Sequence, residues 1–189
     1  MSTFSQTILD ALKGKEHDYT SGSINKAIFL LSIPMMIEMF GEGLFAIIDA
    51  YFLSKVSNAA ATTAGIVEVV ATLIYSIAIG ISIAATAMVS RRIGEQKPAE
   101  AAKAAVQALL LSVVFGAVLG VLGFIFAEDV LRLMKAEEEV IEVGTNYARI
   151  LFSTNTVILL LFVLNGIFRG AGDAFMAMIS LWVANLLNI

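Results

Sequence analysis

The chain contains no cysteine, so it has no disulfide frame, no thiol nucleophile and no cysteine metal cluster. Its one histidine, His17, precedes every long apolar segment. Histidine-based acid–base or metal chemistry is therefore excluded from the apolar region, and zinc-protease and serine-triad readings go with it. Charge is also scarce. Asp, Glu, Lys and Arg make up 15% of the 189 residues, against about 25% in an average soluble domain. Net charge is -4. That leaves no basic footprint for a nucleic-acid partner. What remains is apolar: hydrophobic residues reach 59%, with a mean hydropathy of +0.88. A soluble fold of this length keeps too much surface to hide that excess. A soluble globular enzyme and a disordered chain are both excluded.

A helix needs about 20 apolar residues to cross the roughly 30 Å hydrocarbon core. Val69–Ser90 supplies 22 residues without a charge, Ala104–Ala127 supplies 24 and Ile150–Phe168 supplies 19. Ala174–Ile189 supplies 16. Ala27–Leu53 is apolar apart from Glu38, Glu42 and Asp49. Backbone polar groups in lipid must be satisfied internally, and the period-2 alternation of a barrel is absent. The expectation is an all-α polytopic bundle with four complete spans and part of a fifth. Its spans lie near 27–53, 60–90, 101–127, 145–168 and 174–189, after a polar tail at 1–26. That tail lacks a basic start followed by an apolar run, so it does not read as a cleaved signal peptide. Phe4, Ile8, Leu9 and Leu12 fit a short interfacial helix. Pro98 suits the first turn of the third long helix. Val130, Leu131, Leu133 and Met134 alternate with charges, as in a short surface helix. Gly116 and Gly120 form a GxxxG, which lets helices approach closely.

Loops on the cytoplasmic side carry the Lys/Arg excess. The tail, the loop after the second span and the turn at Arg169 hold eight of the twelve basic residues; the opposite side holds four. The N-terminus is expected to be cytoplasmic.

The acids of the first span are the strongest functional signal. A charge at the bilayer centre costs at least about 2.5–3.5 kcal/mol. At about 100° per residue, Glu42 lies about 40° and Asp49 about 20° around the helix from Glu38. The three form one stripe, about 16 Å long. It must face the bundle interior or a water-filled cavity. No basic residue lies inside an uninterrupted span, so the acids are expected to lack a permanent partner. An unpaired buried carboxylate takes a proton or binds a cation. Protons, sodium and organic cations then compete for the same oxygens, as an antiporter requires. The plainer alternative puts these acids near span ends or pairs them with a base in a missing part of the protein. Glu68, at the edge of the second span, reads as a hydrated boundary residue or a fourth cavity acid. Asn155, Asn165, Asn185 and Asn188 read as helix-to-helix hydrogen-bonding residues or cavity residues. Pro34 removes one helical hydrogen bond in the first span. It serves either to fit a long helix into the membrane or as a hinge.

From about Ile28 onward the chain resembles the multidrug and toxic compound extrusion (MATE) transporters. The resemblance rests on SIPMMIEMFGEGLFAIIDAYFLSKV in the first span, GISIAATAMVSRRIGEQKPAEA after the second, FRGAGDAFMAM after the fourth and ANLLNI at the end. It implies a twelve-helix fold of two six-helix bundles, exporting organic cations in exchange for sodium or protons. No cofactor beyond that coupling ion is implied. Asp49 matches the family's first-helix coupling aspartate. Asn188 resembles its fifth-helix asparagine, and the aspartate four residues beyond would fall after Ile189. Arg169 and Asp173 match an intracellular turn with a structural role. Glu38 and Glu42 are not carried over; they rest on the stripe alone. The length implies part of a larger bundle with a missing C-terminal half. These residues alone are expected not to transport. The membrane implied by the family is the bacterial inner membrane.

Three other classes compete. Gly170-Ala171-Gly172-Asp173 reads as the GxGD of intramembrane aspartyl proteases, with Asp49 the one other aspartate in an apolar stretch. A flippase for lipid-linked precursors would need basic residues facing inward. A small membrane subunit would need neither.

Overall fold

The computed structural model describes residues 4–13, 19 and 22–188. His17 lies outside them, as do the side chains of Asn185 and Asn188. Among the described residues the chain is all helix: α1 (Phe4–Leu12), α2 (Ile24–Val56), α3 (Asn58–Gly94), α4 (Pro98–Ile125), α5 (Ala127–Leu133), α6 (Glu138–Ser153), α7 (Asn155–Gly170) and α8 (Ala174–Asn188). Helices α2, α3 and α4 are long and apolar enough to span a membrane. The bent pair α6 and α7 passes the same test when the two are taken together, and α8 is a shorter apolar helix. The chain is a multi-pass membrane protein.

The short amphipathic helices sit where the sequence places them. α1 leaves Leu9 and Leu12 exposed, as an interfacial helix would. α4 begins at Pro98, whose missing N–H is not needed in a first turn. α5 is the surface helix around Leu131.

One expected span is broken. The fourth is not a continuous helix from 145 to 168, because α6 and α7 meet at Thr154 with a bend of 43°. The Thr154 hydroxyl donates to Leu151 O at 2.6 Å, and the Ser153 hydroxyl donates to Arg149 O at 2.7 Å. Hydroxyls bonded back to carbonyls in this way bend helices.

Two compact units are present. The first comprises Met1–Ala46, Ser82–Gln107 and Leu164–Ile189; the second comprises Ile47–Ile81 and Ala108–Val163. The second is held by apolar packing. Val67, Ala127, Leu131, Ile141, Ala148 and Phe152 form a buried cluster. α4 lies against the α6–α7 break through its glycines. A Cβ on Gly116 would stand 2.5 Å from Thr156 Cα, and one on Gly123 would stand 2.5 Å from Phe152 Cβ. The GxxxG of α4 thus sits against the bend. In the first unit, Gly170 and Gly166 bring α7 close to Thr86 and Ser82 of α3.

Candidate functional site

The acidic stripe of α2 does not meet one environment. Glu38 is 2% exposed, Glu42 is exposed and Asp49 is half-buried. Glu38 and Glu42 belong to the first unit, whereas Asp49 belongs to the second. The expectation that all three lack a basic partner is overturned at Glu38. Arg169, in the last turn of α7, donates through Nη2 to Glu38 Oε1 at 2.5 Å. A long arginine stem lets a charge at a span edge reach back along apolar surface. The Arg169 side chain remains 28% exposed. The pairing is only half complete. Glu38 Oε2 and Arg169 Nε are buried and without a partner among the described residues. Glu42 lies within electrostatic reach of both Glu38 and Arg169.

The turn that carries Arg169 is built from its sequence. Asp173 N–H donates to Phe168 O at 2.8 Å, and Gly172 N–H donates to Arg169 O at 3.0 Å. This is a Schellman end, with Gly172 at φ 89° in the left-handed region that glycine tolerates. Asp173 Oδ1 then accepts the Met176 N–H at 3.1 Å and caps α8. So GAGD is a helix stop followed by a helix start. The aspartyl-protease reading of Asp173 loses its reason, because its carboxylate is engaged as a cap. In this turn Asp173 caps α8, and Arg169 reaches Glu38. One hydrogen bond joins α3 to the same turn region. The Thr86 hydroxyl donates to Gly166 O at 2.8 Å, with Ser82 O also at 2.9 Å. Tyr19 lies against Gly172. Burial first, and the Asp173 carboxylate second, push the Tyr19 phenol above its ordinary value. A cavity of about 690 Å³ adjoins the turn, lined by Tyr19, Leu31, Ser90, Gln96, Arg169 and Gly172 among others.

The remaining candidates separate clearly. Asn165 Oδ1 accepts from the Ser180 hydroxyl at 3.1 Å, a helix-to-helix bond between α7 and α8. Asn155 opens α7 at the bend, fully buried, and its side-chain oxygen and nitrogen have no protein partner. In the second unit, Tyr147 feels the charges of Glu68 and Asp49, and Tyr75 feels Glu68. Glu68 is exposed on α3. Asn185 and Asn188 cannot be placed by side chain. Reading the sequence missed Tyr75 and Tyr147 as neighbours of these acids. It also missed Arg169 as a partner of Glu38. The available signal for the latter was a base immediately after the charge-free run Ile150–Phe168.

No group of three or more His, Cys, Asp or Glu residues that could hold a metal occurs among the described residues.

Against known families, the MatE model matches residues 34–189. The chain belongs to the MatE family. It is 38% identical over 118 residues to the "Probable multidrug resistance protein YoeA" of Bacillus subtilis, covering 62% of this chain and 25% of that protein. It is 27% identical over 173 residues to the "FAD transporter" of Shewanella oneidensis, covering 92% of this chain and 38% of that protein. Among solved structures, a MOP superfamily transporter from Pyrococcus furiosus superposes with a TM-score of 0.84 at 30% identity, covering 92% of this chain and 39% of that one. A multidrug resistance MATE family transporter in an outward-facing conformation also gives 0.84 at 30% identity. The MatE chain thus spans between a quarter and two fifths of the length of these relatives.

Proposed function

We propose that the protein to which this MatE chain contributes is a cation-coupled exporter of organic cations and drugs. The coupling ion is sodium or a proton. The observation that carries the reading is family membership over 34–189 together with an acid-bearing first span. Asp49 is the coupling carboxylate in this account. It is half-buried. Glu42, exposed and close to the Glu38–Arg169 pair, adds negative potential for a cationic substrate. Asn188 joins the coupling region by family position. The chain is not an enzyme in this account, and no cofactor is needed. The N-terminus faces the cytoplasm of a bacterial inner membrane, as the excess of Lys and Arg on that side supports.

A second reading is favoured by the Shewanella relative, which covers 92% of the chain. It is export of FAD, an anion. The acidic stripe of α2 argues for the cationic substrate instead, and likewise against a flippase for anionic lipid phosphates. The test uses the full-length protein in inverted membrane vesicles. Asp49→Asn should abolish ion-driven movement of a cationic dye while leaving expression unchanged. Normal dye transport by that variant contradicts the assignment. Gradient-driven FAD transport without dye transport favours the second reading.

A further inference from the structure

We infer that the Glu38–Arg169 pair is a latch: it holds the N-terminal half of α2 against α7 in this state and releases it when the protein changes state. Four observations carry this. First, α2 is buried at Leu30, Pro34, Glu38 and Gly41, a single stripe confined to its N-terminal half. Glu38 is the one polar anchor in that stripe. Second, the anchor is half made. An arginine and a carboxylate that pair permanently favour two parallel hydrogen bonds. Here one bond forms, while Glu38 Oε2 and Arg169 Nε stay buried without partners. Such a pair is strongly held only while closed, because its unmet atoms reduce the gain that offsets desolvation. Third, α7 is fixed to its other neighbour by shape. Gly166 and Gly170 sit so close to Ser82 and Thr86 of α3 that a Cβ at either would collide. Opening therefore falls on the α2 side. Fourth, release has room and a solvent path. Arg169 is already 28% exposed, and it lines the cavity of about 690 Å³ together with Leu31 of α2.

The latch adds to the proposed transport cycle a place where one bundle element lets go, and its readout does not depend on which substrate moves. The experiment uses the full-length protein carrying Leu30→Cys as its one cysteine. Leu30 is 5% exposed, so its modification reports unseating of α2. The rate of labelling by a water-soluble maleimide is measured in permeabilised cells. Glu38→Gln should raise that rate about tenfold, within the range usual for coupling between two states. Glu100→Gln, an exposed acid paired with Lys103 and away from the latch, should leave it unchanged. Arg169→Lys keeps the charge but loses the planar fork. It should give a smaller rise, and it serves if Glu38→Gln does not accumulate. Equal rates in wild type and in both pair variants overturn the latch. So does an equal acceleration by Glu100→Gln. Because labelling requires no transport, a negative result here leaves the Asp49 test standing, and the reverse also holds.

Discussion

The two units of this chain are built from segments of the same long helices, yet they are held by different forces. The second is held by shape. Its buried cluster of Val67, Leu131, Ile141 and Phe152 is apolar, and glycines of α4 press against the α6–α7 break. The first is held partly by charge, through a buried ion pair with orphaned atoms. Packing of this closeness has few alternatives, since interiors are near crystal density. A half-satisfied ion pair has a second low-energy state, with the guanidinium in water. The difference assigns rigidity to one unit and switching to the other.

The comparison can be broken hardest at the ion pair. Arg169→Ala leaves the Glu38 carboxylate buried and alone, which should cost about 3–5 kcal/mol. Thermal melting of the full-length protein in detergent checks this. The loss should shrink in the double variant Glu38→Gln/Arg169→Ala, where no buried charge is left alone. Next comes the shape-held unit. Gly116→Val drives a branched side chain toward the Thr156 backbone and should destabilise by about 1–3 kcal/mol, with no relief from Glu38→Gln. A melting loss relieved by Glu38→Gln equally in both backgrounds would erase the distinction.

A smaller effect is expected at the turn that positions Arg169. Gly172→Ala forces a left-handed backbone onto a residue with a Cβ, at about 1–2 kcal/mol. That Cβ would also stand 2.9 Å from the Tyr19 ring. The same Schellman geometry recurs at Gln96 and Lys135, both with positive φ. Gln96→Gly should therefore stabilise slightly, which a melting curve can read.

The smallest effect concerns Glu95, which binds Arg91, Lys97 and Arg92 beside that second Schellman end. Hydrogen bonds from Arg91, then Lys97 and Arg92, hold its carboxyl down at about 2. A depressed acid stabilises above its ordinary range, and the contribution fades as pH falls from about 4.5 toward about 2. The group is part-exposed and screened by solvent, so Glu95→Gln should change melting only slightly at neutral pH. The difference from wild type should vanish near pH 2.

Much of this architecture was legible in the residues. Charge-free runs of 19 to 24 residues located the spans, Pro98 marked a helix start, and the spaced apolar residues near Leu131 marked a surface helix. The break at Thr154 was not legible. Ser153, Thr154, Asn155 and Thr156 lie inside an apolar stretch, and hydropathy averages over these four polar residues. What bends the helix is hydroxyl bonding and contact with Gly116, Gly120 and Gly123 of α4, and no local pattern encodes that contact. The acidic stripe was legible as spacing, but not its division into a paired acid and unpaired ones. Glu38 and Arg169 are 131 positions apart, and only the fold brings them together. Asp49 is proposed by family position, and the structure places it half-buried on α2.

The most direct test of the central claim is amide hydrogen exchange on the full-length protein. The segment 28–40 of α2 is compared with segments 112–124 and 144–153 of the shape-held unit, in wild type and in Glu38→Gln. The account predicts faster exchange in 28–40, quickened further by the substitution, while the other two segments stay protected and unchanged. Uniform protection of all three, or an equal rise in all three on Glu38→Gln, would contradict it.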